Sequence, residues 1–188
     1  MNFEFSSDQM LLKDQARKFL ESEESVKKAR EVLEGEQTHD ESLWKSVIEM
    51  GWTATTIPEE FDGLGLGYLE LCVIAEELGR SLAPTPFSSS VYLATEALIS
   101  LGSNEQKQNY LPKLATGEII GTLAHTESTS SPSIENLSCE LNGNKLNGTK
   151  IAVARDGRLS SPMISKKGFK YRFWNRVLIY HFHPNRKS

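Results

Sequence analysis

The sequence predicts an α+β chain divided by segment. An all-α N-terminal helical domain occupies residues 1–116, and the start of a small antiparallel β-domain follows over 117–154. Three observations lead there. Apolar residues recur at helical spacing between capping signals as far as Leu114. Beyond Gly117 the pattern changes to alternation and β-branched runs, with Asn142-Gly143 as a hairpin turn. Composition then shifts at residue 155: residues 155–188 hold nine of the 21 Lys and Arg, one of the 25 acids and six of the 16 aromatics.

The elements follow in order. Ser6 and Gln9 have capping-box spacing, and Leu12, Ala16, Phe19 and Leu20 make one helical face. The charged stretch from Glu21 to Glu36 reads as a second, more exposed helix ending near Gly35. Asp40 or Ser42 can cap a short third helix through Leu43, Trp44, Val47 and Ile48, stopped by Gly51. Pro58 and the turn cluster Asp62-Gly63-Leu64-Gly65-Leu66-Gly67 break the pattern. "YLELCVIAEELGR" then predicts a buried helix from Tyr68 to Arg80, and an Ala- and Leu-rich helix fits Ser88 to Ser100. Ser103 with Gln106 predicts another capping box and a helix to about Leu114, in which Pro112 implies a kink or an early end. Strands are expected in "IIGTLAHTE", "LSCEL" and "KLNGTKIAVA".

Composition bounds the function classes. An apolar fraction of 38% with 24% charge fits a chain that buries a core. No apolar run reaches the roughly 18 residues of a membrane span, and no secretory leader is visible. Cys72 and Cys139 lack metal-ligand spacing, so reduced thiols, no metal and a cytoplasmic location are expected. The basic, aromatic tail has chemistry suited to nucleic acid or anionic lipid, but it shows no amphipathic period. Neither nucleic acid nor membrane is expected as a partner. Glu76 and Glu77 are adjacent on a helix, about 100° apart, and so cannot flank one substrate. The Gly-x-Gly-x-Gly run lacks a preceding apolar strand, which argues against a dinucleotide loop.

Three ordered stretches carry a resemblance: "MGWTATTIPEEFDGLGLGYLELCVIAEELGRSLAP", "GSNEQKQNYLPKLATGEIIGTLAHTE" and "LNGNKLNGTKIAVA". Over residues 2–154 the chain resembles the acyl-CoA dehydrogenases, flavoenzymes that oxidise acyl-CoA thioesters. The resemblance implies their fold, FAD as cofactor, an acyl-CoA substrate and dehydrogenation to the 2-enoyl-CoA. It also implies a homo- or hetero-oligomer passing electrons to electron-transfer flavoprotein. By the same resemblance Leu123, Ala124, His125 and Thr126 form the loop that meets the flavin, with Thr126 as the contact. Ala152, Val153 and Ala154 occupy the second flavin element, where the family's Trp is absent. Pro132 replaces the Ser that faces the thioester.

His125 could be imagined as a base, though a partly buried His pairing with a backbone group is the simpler expectation. The resemblance places the family's catalytic Glu in a C-terminal helical domain, so no catalytic residue is assigned. The expectation is a truncated or frame-shifted family member, its residues 155–188 a disordered or out-of-frame tail unlike the family. A non-catalytic partner subunit of a heteromeric acyl-CoA dehydrogenase is the alternative.

Overall fold

The structure is a computed structural model that describes residues 4–127, 140–142, 145–151, 161–164 and 178–182. The chain divides into two compact units, Met1–Pro86 with Ala115–Gly117, and Phe87–Leu114 with Glu118–Ser188.

The first unit is helical. Helix α1 (Ser7–Ser22) starts on the expected capping box: Ser6 Oγ accepts from Gln9 N–H at 3.2 Å, and Gln9 Oε1 accepts from Ser6 N–H at 3.0 Å. Glu24, in left-handed conformation with φ 51°, separates α1 from α2 (Ser25–Glu34). Of the two candidate caps for α3 (Glu41–Glu49), Asp40 is the one used, its carboxylate accepting from Leu43 N–H at 2.7 Å. Helix α4 (Tyr68–Arg80) has the bounds expected of it. α1 packs on α4, and Ala16, Leu20, Leu43, Val47, Ile57, Val73 and Ile74 are buried. Phe19 meets Trp52 edge-on at 5.2 Å.

The turn before α4 is built by close packing. A side chain at Gly63 would collide with the Ile57 carbonyl, and Gly65 sits at φ +59°. The turn's amides point inward. Gly63 N–H donates to Pro58, Leu64 to Ala54, Gly65 to Ile57 and Leu66 to Thr55, all through backbone carbonyls at 2.8–3.2 Å. Four consecutive donors are thereby occupied, so this turn cradles no phosphate.

The second unit begins with Ser88–Thr95, which forms a π-helix rather than the expected α-helix; α5 (Glu96–Leu101) continues it. Ser88, Ser89 and Ser90 have little preference for the α turn, and Ser90 Oγ instead accepts from Gly121 N–H at 3.1 Å. Helix α6 (Asn104–Ala115) starts on the Ser103–Gln106 capping box and runs through Pro112 without ending. Pro112 stands in its last turn, so its missing N–H costs one bond but only three helical residues follow it.

Five strands are described, β1 (Ile120–Ala124), β2 (Glu140–Asn142), β3 (Lys145–Asn147), β4 (Ser161–Ile164) and β5 (Leu178–Phe182). β2 and β3 form an antiparallel pair around the Asn142-Gly143 turn signal. The other sheet has the order β1-β5-β4, antiparallel throughout. The segment 155–188, expected to be a disordered or out-of-frame tail, includes two of the three strands of this sheet, Ser161–Ile164 and Leu178–Phe182. "LIYHF" contains Ile, Tyr and Phe, residue types that favour strands.

Candidate functional site

β1 positions the candidate site. Ile120 starts a strand whose residues Ile120, Gly121, Thr122 and Ala124 are buried and whose Leu123 is half-buried. β5 pairs along one edge, setting Leu123 opposite Ile179 and Ala124 opposite Leu178. The π-helical segment packs on β1. With the strand held in this way, the residues that leave its C-terminal end have a fixed origin.

Those residues are His125, Thr126 and Glu127, all half-buried. Each receives one bond from the dipeptide Lys150-Ile151. Lys150 Nζ donates to the His125 carbonyl at 3.1 Å and to Glu127 Oε1 at 2.7 Å. Ile151 N–H donates to the Thr126 carbonyl at 2.8 Å. The Lys150 and Glu127 side chains are only 6% and 8% exposed, so this is a buried ion pair rather than a surface contact. Among the described residues, the Thr126 N–H and hydroxyl meet no partner, which leaves a half-buried donor pair at the strand's end.

Of the predicted site residues, Leu123 and Ala124 therefore lie in β1, and His125 and Thr126 just beyond it. Pro132, Ala152, Val153 and Ala154 lie outside the described residues. Ile151, the residue before that last trio, donates its N–H to the Thr126 carbonyl. His125 engages through its carbonyl. Sequence reasoning missed the Lys150–Glu127 pair. The only available signal was two opposite charges, and 23 residues of separation hides their contact.

Glu76 and Glu77 do part company as their helical positions require. Glu76 pairs with Lys13 at 2.7 Å on the surface. Glu77 is fully buried and is held by Arg17 Nη2 at 2.8 Å and Nε at 3.0 Å, and by Arg80 Nε at 3.2 Å. The Arg17 hydrogen bonds keep its carboxyl below the usual carboxylate range against the cost of burial. This is a strut between α1 and α4. Among the described residues, no cluster of His, Cys, Asp and Glu could hold a metal, and no helix is long and apolar enough to cross a membrane.

Comparison with known proteins decides the family. The sequence model of the acyl-CoA dehydrogenase N-terminal domain matches residues 6–118. The chain belongs to the acyl-CoA dehydrogenase family. It is 32% identical to the mitochondrial isovaleryl-CoA dehydrogenase of Arabidopsis thaliana over 153 residues, which cover 76% of this chain and 37% of that protein. It is also 32% identical to the NADH-dependent acryloyl-CoA reductase of Anaerotignum propionicum, over 90% of this chain and 46% of the reductase. A match to 90% of the chain necessarily runs past residue 154. Among solved structures, the acyl-CoA dehydrogenase of Bacillus anthracis complexed with FAD superposes with a TM-score of 0.66 at 27% identity, covering 80% of this chain and 27% of that one. The chain spans less than half the length of each of these relatives.

Proposed function

We propose that this chain serves FAD-dependent dehydrogenation of an acyl-CoA thioester between Cα and Cβ, giving the 2-enoyl-CoA. The carrying observation is Thr126, half-buried at the end of β1 with its carbonyl fixed by Ile151 and its N–H and hydroxyl unengaged among the described residues. FAD, when bound, accepts the hydride from Cβ. Thr126 would offer its two donors to the edge of the flavin ring, which gains negative charge on reduction and is stabilised by fixed donors. Leu123, Ala124 and His125 would complete that wall, and Ala152, Val153 and Ala154 would stand beside it. Pro132 would face the thioester with no hydroxyl to offer. Proton removal from Cα is assigned to no residue of this chain. Assembly with further copies or a second chain, electron transfer to electron-transfer flavoprotein and a cytoplasmic location belong to the same proposal.

The test is the visible spectrum of the purified full chain with FAD added, then an acyl-CoA. A retained flavin band that bleaches on acyl-CoA addition supports the reading. A protein that stays colourless after removal of free FAD overturns it for this chain.

A further inference from the structure

The Lys150-Ile151 dipeptide bonds to three consecutive residues of the loop that leaves β1, and nothing in the family assignment requires this. An ammonium has three donors and no acceptor, and here two of them are aimed at Glu127 Oε1 and the His125 carbonyl. Such a pair is costly to bury and is tolerated where the geometry satisfies it. Removing the lysine therefore costs the loop two anchors at once, the bonds to the His125 carbonyl and to Glu127 Oε1. We propose that Lys150 is a positioning residue, a buried clamp that fixes the His125–Glu127 backbone so that Thr126 is held ready for the flavin.

The flavin part of this inference rests on the function proposed above; the clamp itself does not. A binding constellation performs only when held within about 0.5 Å of its working geometry. Thr126 gains that precision from its neighbours on both sides, His125 and Glu127, being tied to one cation.

Hydrogen exchange on the full chain without flavin tests the clamp. In Lys150→Met, the Ile151 amide should exchange at least tenfold faster than in the wild type, with the amides of α6 as internal reference. In the double variant Glu127→Gln/Lys150→Met, the carboxylate charge is removed together with the ammonium, yet the Ile151 amide should still exchange fast. Wild-type exchange in Lys150→Met, or exchange restored by the second substitution, overturns the clamp and leaves only charge compensation. A parallel FAD titration separates this from the functional reading. Lys150→Met should bind FAD at least tenfold more weakly, and equal affinity overturns the positioning role. If the wild type itself retains no FAD, the proposed function falls and the exchange data alone decide the clamp.

Discussion

Glu77 shows how a single buried charge can organise a helical unit. It is fully buried, yet three arginine N–H groups satisfy it, and its carboxyl is held below the usual carboxylate range, chiefly by Arg17. A carboxylate with a depressed folded pKa contributes stability that is present above the unfolded value of about 4.3 and is lost as pH falls through the lower folded value. Glu70, hydrogen-bonded to Gln9, is lowered too and acts with the same sign. The urea midpoint should therefore fall on acidification below about pH 5, and Arg17→Met should both lower the midpoint at pH 7 and flatten that fall. Equal acid sensitivity in the variant would remove Arg17 from the account. Gly63 is a second residue whose chemistry is decided by space. Gly63→Ala drives a methyl group into the Ile57 carbonyl, whereas Gly65→Ala must adopt φ +59° and displaces only the flexible Glu59 side chain, 3.3 Å away. The first should cost about 3 kcal/mol or more, the second about 1–2 kcal/mol, measured by urea unfolding. The reverse order would mean that the turn relaxes around the methyl group.

Elements were legible where one residue settles a boundary. Ser6 with Gln9 and Ser103 with Gln106 both form the capping boxes their spacing predicts, because the reciprocal bonds involve residues only three apart. Ser103→Ala should lower stability by about 1 kcal/mol, seen as a shifted urea midpoint with unchanged slope. Boundaries were not legible where a distant partner decides the geometry. The π-helix at Ser88–Thr95 reads as an ordinary helix, since the Ser90–Gly121 bond that accompanies it spans 31 residues. Ser90→Ala leaves the Gly121 N–H buried without that acceptor and should cost about 1–3 kcal/mol. A neutral Ser90→Ala would show that the π turn is set by packing alone. The candidate site follows the same division. Thr126 could be placed from the motif around it, whereas the Lys150–Glu127 pair that holds it depends on two strands' worth of intervening chain.

At the scale of the whole molecule, the abrupt change of charge at residue 155 invites reading the last segment as separate from the fold. The sheet argues otherwise. β5 lies between β1 and β4 and pairs with β1 along all five residues from Ile120 to Ala124. Without residues 155–188, β1 would present its N–H and carbonyl groups along that edge, and the only other described sheet is the two-stranded β2-β3 pair. Such an edge is a template for association, and two strands alone are marginal. A chain ended after residue 154 should therefore elute as aggregate on size exclusion and melt at a lower temperature than the full chain, with a broader transition. The site should suffer with it, because His125, Thr126 and Glu127 take their origin from β1: the Ile151 amide should lose its exchange protection in the shortened chain. If the shortened chain is monodisperse, melts at the same temperature and keeps Ile151 protected, β5 has no part in holding the site. The Lys150 clamp would then have to secure the loop without the sheet behind it.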